Sequence, residues 1–161
     1  NFPTNIYENP PEFVDGLAKT MLEYDVKPEI EIFDLAMLYN AVSLIKRGLL
    51  KSPPHVQFVM GIPNALPARR SVLEFLIKEY KEVVPAGTWT AAGIGRHQFE
   101  VAQWCLELGG NCRTGLEDNI KFDRERLANS NAELVKKLVD VMPNYDRHPA
   151  STSEAREMLG L

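Results

Sequence analysis

The feature that most constrains this chain is a repeated change of period. Short alternating or uniformly apolar runs give way to runs with apolar residues three and four apart, and the pattern occurs four times. Pro10 and Pro11 fix the backbone at the start of a first helix over 10–24, with Phe13, Leu17, Met21 and Tyr24 on one face. The alternating run 29–34 predicts a strand closing on Asp34, followed by a helix over 35–47 that Gly48 stops in a left-handed cap. Ser52-Pro53-Pro54 breaks the chain before a second strand over 55–61 and a helix over 68–83. A third strand over 88–95 ends in a glycine-rich turn and leads into a helix over 97–108. The fourth strand, over 111–117, is followed by a polar loop. Ser130-Asn131-Ala132-Glu133 then opens a helix to 141 or 142 as a capping box, and Ser151-Thr152-Ser153-Glu154 opens a last short one.

Crossovers of this length permit only parallel pairing, so the fold class is α/β in a single domain. Four units make either half of a (β/α)8 barrel or most of a small doubly wound sheet. Both architectures bind ligands at the carboxyl ends of the strands. Those ends carry Glu31 and Asp34, Gly61, Gly93, Gly95 with Arg96, and Glu117 with Asp118, so every strand ends at a charged residue or a glycine. Glu31, Gly61, Gly95 and Arg96 thereby become candidate substrate-binding residues.

Composition narrows the partners. The 161 residues include 18 basic and 22 acidic side chains, a formal charge of -4, which offers no basic field for a nucleic-acid backbone. No apolar run reaches membrane-spanning length, because Glu31, Asp34 and Asn40 interrupt the most hydrophobic stretch. Cys105 and Cys112 form neither a Cys-x-x-Cys motif nor a disulfide framework, so a reduced, cytoplasmic setting is expected. The chain begins at Asn1 with neither a methionine nor a leader and reads as a piece of a longer protein or a processed product.

The segment Gly109-Gly110-Asn111-Cys112-Arg113-Thr114-Gly115-Leu116-Glu117-Asp118-Asn119 gathers the most chemistry. If extended, it places Arg113, Gly115 and Glu117 on one face, with Asp118 starting the turn beyond. A carboxylate on the inner face of a strand end is costly to bury unless it is paired or metal-bound. The same residues also fit an ion pair beside a helix cap, the commoner use of such a cluster. Gly93-Ile94-Gly95-Arg96 fits one wall of a phosphate cradle or a tight strand-to-helix turn. His55, His97 and His148 are isolated and expected to be structural, and Cys112 diverges from Arg113 across the pleat, so no activated thiolate is expected. Zinc in a catalytic site usually has three protein ligands, and beyond Glu117 the sequence offers no second and third.

The 109–119 segment resembles the Gly-Gly-x-x-Arg-x-Gly-Leu-Glu-Asp-Asn signature of the β-keto acid cleavage enzymes, zinc-dependent (β/α)8 barrels. The likeness extends in order and spacing through the 27–34 run, Gly48-Leu49-Leu50, Gly93-Ile94-Gly95-Arg96, the 130–135 run and the 154–161 close, and includes Asn1-Phe2. The resemblance implies that these are strands 5–8, the C-terminal half of a TIM barrel, whose missing N-terminal half completes it, and that the protein is a homo-oligomer. It implies that Glu117 binds zinc together with a His-x-His pair that this chain lacks. Asp118, paired with Arg113, would be the base toward the substrate, and Glu31 would line the pocket. The implied reaction is a condensation and retro-Claisen exchange, in which a β-keto acid and acetyl-CoA give acetoacetate and a new acyl-CoA. A metal-dependent aldolase or lyase that uses no CoA, and an inactive half-barrel acting as an interaction module, remain the alternatives.

Overall fold

A computed structural model describes residues 6–161, so the likeness at Asn1-Phe2 lies outside the described residues. The strands β1 (Glu29–Ile32), β2 (His55–Met60), β3 (Thr88–Gly93) and β4 (Asn111–Cys112) form one parallel sheet in the order β1-β2-β3-β4. The helices are α1 (Pro11–Glu23), α2 (Leu35–Lys46), α3 (Arg70–Val83), α4 (Gln98–Leu108), α5 (Asn131–Val139) and α6 (Thr152–Leu159). This is the α/β arrangement expected from the sequence, four consecutive β/α units of a TIM barrel. No described helix is long and apolar enough to cross a membrane.

Several boundaries move for local reasons. Asp34 does not close β1; its side chain accepts the Met37 N–H at 2.8 Å and caps α2. Helix α3 starts at Arg70 because Arg69 is still extended, with φ -133°. Gly95, at φ +60°, forces a 3-10 turn over Gly95–His97 before α4 can begin. Ser130 caps α5 by accepting the Glu133 N–H at 3.2 Å, but the Glu133 carboxylate turns to Arg126 at 2.8 Å and to the Asn129 N–H at 2.7 Å. The Arg126 bond and then the Asn129 N–H hold that carboxyl down at about 2. At Ser151 the reciprocal box is complete, with Glu154 N–H to the serine hydroxyl at 3.3 Å and Ser151 N–H to the Glu154 carboxylate at 2.7 Å.

The largest change is at β4, which is two residues long rather than seven. Arg113 makes the last link to β3, its N–H reaching the Ala91 carbonyl at 3.4 Å, and the chain then turns over residues 115–118. Glu117 and Asp118 therefore sit on a turn at the rim and not on a strand face.

The register separates two faces. Ile32, Val56, Phe58, Met60, Trp89 and Ala91 point toward the helices and pack on Leu38, Leu73, Leu76, Tyr80, Val101 and Cys105. Each large apolar side chain buried there contributes about 1.5–3 kcal/mol. The Tyr80 hydroxyl satisfies itself on the Pro54 carbonyl at 2.9 Å, and burial pushes its phenol pKa up. The opposite face is polar over its first two rows and apolar at Val59 and Ala92. Glu29, His55 and Thr88 form one row, and Glu31, Gln57, Thr90 and Asn111 form the next. Among the described residues β1 and β4 each pair on one side only, so the sheet has two open edges.

Candidate active site

Arg113 stands where β4 ends, on the polar face, and organises everything around it. Its Nε donates to Asp118 Oδ2 at 2.8 Å and its Nη2 to Asp118 Oδ1 at 2.9 Å, a bidentate pair. Nη1 reaches Glu31 Oε1 at 3.1 Å and Gln57 Oε1 at 3.3 Å, and Nη2 lies 3.0 Å from Glu117 Oε2. Burial opposes the guanidinium charge, but the Asp118 bond and the charges of Asp118, Glu117 and Glu31 outweigh it and raise the Arg113 pKa. One cation faces three carboxylates, so the cluster carries a surplus of negative charge.

The two adjacent acids are not equivalent. The Asp118 side chain is 4% exposed, whereas the Glu117 side chain is 85% exposed. The expectation that Glu117 is the buried inner-face carboxylate is corrected here: the short β4 turns Asp118 inward and leaves Glu117 open at the rim. Asp118 is held and aligned, while Glu117 keeps lone pairs free to bind.

The turn that carries them is pinned from three sides. The Gly95 N–H donates to the Asp118 carbonyl at 2.6 Å, so it is already committed and is not a free anion donor. Buried Gln98 donates to the Gly115 carbonyl at 2.8 Å and accepts the Thr114 hydroxyl at 3.0 Å. Asn131 accepts the Leu116 N–H at 2.7 Å. Gln57, Gln98 and Asn131 are positioning residues that the sequence reading did not single out. Gln57 alone left a signal, an amide in the middle of the otherwise apolar strand Val56-Gln57-Phe58-Val59.

The structure joins Glu31, Arg113, Glu117 and Asp118 into one cluster. Gly61 lies apart, at φ +93° with the His97 ring against it. Arg96 is exposed on the β3–α4 connection, with Nε 3.3 Å from the His97 ring, and does not touch the cluster. The two cysteines, expected to form no disulfide framework, are free and lie near each other. The Cys105 thiol donates to the Ala91 carbonyl at 3.7 Å and the Cys112 thiol to the Ala102 carbonyl at 3.3 Å; nearby Cys105 and the Arg147 charge lower the Cys112 pKa, so the cation beside Cys112 is Arg147 and not Arg113.

Toward a metal, the described residues contain no group of three histidine, cysteine or acidic side chains that could hold an ion. What they do offer is one open carboxylate, Glu117, beside a cluster with excess negative charge. That suits a single ligand of a site completed by other residues.

A four-stranded parallel sheet with helices and an Arg-Asp pair pinned at its carboxyl rim defines the class: a TIM-barrel protein whose polar cluster lies at the end where such barrels bind their ligands. The family model for the beta-keto acid cleavage enzyme matches residues 1–161, and the chain belongs to that family. It is 50% identical over 161 residues to the 3-oxoadipate:acetyl-CoA acetyltransferase of Cupriavidus necator, covering 100% of this chain and 57% of that one. It is 39% identical over 157 residues to the 3-keto-5-aminohexanoate cleavage enzyme of Fusobacterium nucleatum, covering 97% and 56%. The chain thus spans about half the length of the curated relatives it matches. In fold it is similar to ObcA in a ternary complex with a C4-CoA adduct and oxalate, with a TM-score of 0.86 at 20% identity over 96% of this chain and 42% of that one.

Proposed function

We propose that this chain supplies strands 5–8 and the acid–base half of the site in an enzyme that exchanges acyl groups between a β-keto acid and acetyl-CoA. The observation that carries the reading is the buried, bidentate Arg113–Asp118 pair beside the exposed Glu117 at one rim. The names of the relatives, both of which act on keto acids and one of which names acetyl-CoA, support the same chemistry.

Asp118 takes a proton from the carbon between the ketone and the carboxylate of the β-keto acid. Both its oxygens rest on Arg113, yet each keeps a second lone pair for that proton. Arg113 fixes the carboxylate's direction through both of its oxygens. The carbanion displaces the thiolate from acetyl-CoA, transferring the acetyl group to carbon. The thiolate then attacks the original ketone and breaks its bond to that carbon, releasing a new acyl-CoA, and Asp118 returns its proton to the carbon, giving acetoacetate. Glu31, bonded to Arg113, lines the pocket for the rest of the keto acid, and Gly61, Gly95 and Arg96 are proposed as further substrate contacts from the neighbouring strand ends.

Glu117 is the residue of this chain that would hold zinc, with a His-x-His pair from the N-terminal half-barrel as the other ligands. Zinc, when bound, supplies Lewis acidity toward a carbonyl oxygen. In the complete enzyme, Glu117→Gln is expected to lower both metal content and turnover by about tenfold or more, the loss seen for weaker outer partners of such sites. Full metal occupancy and full turnover in that variant would exclude the reading. Turnover of the keto acid without any thioester would favour the aldolase or lyase alternative.

A further inference from the structure

The two cysteines of the chain cross between α4 and the edge of the sheet. The Cys105 thiol leaves α4 and reaches the sheet, donating to the Ala91 carbonyl at 3.7 Å, and Ala91 is the register partner of Cys112. The Cys112 thiol leaves β4 and reaches α4, donating to the Ala102 carbonyl at 3.3 Å, one turn before Cys105. Each sulfur therefore lies on the other's element, and Cys112 packs against the core layer that contains Cys105.

The two thiols are not alike. Cys105 is 0% exposed, whereas Cys112 is partly exposed and lines a cleft of about 530 Å³ beside β4. Arg147 stands in the same cleft, its guanidinium donating to the Gly110 carbonyl at 3.1 Å. Nearby Cys105 and then the Arg147 charge favour the Cys112 thiolate against its burial. Cys112 and burial in turn hold Cys105 in its thiol form. That division suits an accessible thiolate that meets an oxidant and a protected thiol that follows it. The pair is also tied to the site. The Ala91 carbonyl that receives the Cys105 thiol receives the Arg113 N–H as well, at 3.4 Å, and Arg113 follows Cys112 directly. A movement of Cys112 is thus passed to the guanidinium that aligns Asp118.

We propose that Cys112 and Cys105 form a reversible disulfide under a hydroperoxide, and that closing it draws β4 toward α4, shifts Arg113 against Asp118 and lowers turnover. The Cys112 thiolate attacks one peroxide oxygen and the O–O bond breaks. The other oxygen leaves as hydroxide or alkoxide and takes up a proton, and Cys112 becomes a sulfenic acid. The Cys105 sulfur then attacks the Cys112 sulfur, the S–O bond breaks, and the Cys105 proton leaves with the hydroxyl as water. The two thiols together give up two electrons, and the peroxide takes both. The disulfide rests on the crossed thiols alone, whereas its effect on turnover rests on the acyl-exchange reading.

Trypsin releases both cysteines on one peptide, 97–113, which contains no internal lysine or arginine. In the complete enzyme treated with hydrogen peroxide, then denatured and alkylated, that peptide is expected two hydrogens lighter and free of alkyl groups, and dithiothreitol should restore both alkylation sites. Turnover should fall about tenfold or more as the disulfide forms, the scale of a misplaced catalytic group, and return with dithiothreitol. Cys112→Ser should keep its turnover under peroxide, and Cys105→Ala should stop at a sulfenic acid that dimedone labels on Cys112. A parent peptide that stays fully alkylated, or that gains oxygen on Cys112 without the cross-link, overturns the inference whatever the variants do. A cross-link with unchanged turnover overturns the switch and leaves acyl exchange intact. A reversible loss that persists in Cys112→Ser belongs to another thiol and overturns the switch as well. If the parent has no acyl-exchange activity, that reading fails and the switch with it, while the peptide mass still decides the disulfide.

Discussion

Two polar clusters occupy the same face of the sheet, one around His55 near the amino ends of the strands and one around Arg113 at the carboxyl ends, with Gln57 bonded to both. His55 sits between two hydroxyls, Thr88 at 2.7 Å and Thr90 at 2.9 Å, and is 6% exposed. Each ring nitrogen has one partner, so the imidazole's hydrogen-bonding capacity is filled. Arg113 instead gathers Asp118, Glu31 and Glu117, more negative charge than it can neutralise, with Glu117 open to solvent. Gln57 donates to Glu29 in the first cluster and accepts from Arg113 at 3.3 Å in the second. A buried ring with both nitrogens bonded stabilises a fold and has nothing left to bind with. An unbalanced cluster keeps binding capacity and marks where a ligand belongs.

The sharpest way to break this contrast is Asp118→Asn. The amide keeps the shape of the side chain but cannot take a proton, and it offers Arg113 only one acceptor oxygen. Turnover in the complete enzyme should fall by about 10²–10⁴, the usual contribution of a general base. KM for the keto acid should move far less. Turnover within about a few-fold of the parent would mean that the pair is an ordinary structural ion bridge.

The strand–helix alternation, the polar-to-apolar register and the Arg-Glu-Asp triplet were all legible in the chain, because each follows from period or from adjacent residue types. The division of labour between Glu117 and Asp118 was not. It depends on where β4 stops, and that is set by partners far off in sequence: Gly95 on the Asp118 carbonyl, Gln98 on Gly115 and Asn131 on Leu116. A period-two pattern continues through Arg113, Gly115 and Glu117 whether or not a neighbouring strand exists to pair with it. The Cys105–Cys112 contact was hidden for a similar reason, since a helix and a strand meet there only through packing.

Gly93→Ala sharpens the contrast by disturbing one end only. A Cβ at residue 93 would lie 2.4 Å from the His97 carbonyl oxygen and 2.6 Å from its carbon, so the 3-10 turn over Gly95–His97 must shift. The Gly95 N–H that holds the Asp118 carbonyl moves with it. Overpacking of this kind costs about 1–3 kcal/mol, read as a lower melting temperature of the complete enzyme. Activity should fall further than stability explains, while the pH dependence attributed below to His55 stays as it was. An unchanged melting temperature would show that the turn yields freely and that Asp118 is not positioned through Gly95.

The smallest effect belongs to the quiet cluster and concerns its charge. Burial, and secondarily the Lys27 charge, lower the His55 pKa below its ordinary value. Glu29 lies 3.5 Å away and would form an ion pair with a protonated ring, but burial favours the neutral imidazole. A pKa lowered by folding means that the unfolded chain binds the proton first on acidification. The contribution of His55 to stability is therefore complete above about 6.5, its unfolded value, and declines as the pH falls below that until the folded ring is protonated too. His55→Asn removes this titration, at the cost of one of the two hydroxyl contacts. Between about pH 8 and about pH 5.5 the parent enzyme should lose more melting temperature than this variant does, the difference isolating the ring from every other titrating group. A parent that gains stability over the same interval, relative to the variant, would show that Glu29 captures a charged His55, and the two ends of the sheet would then share one electrostatic design.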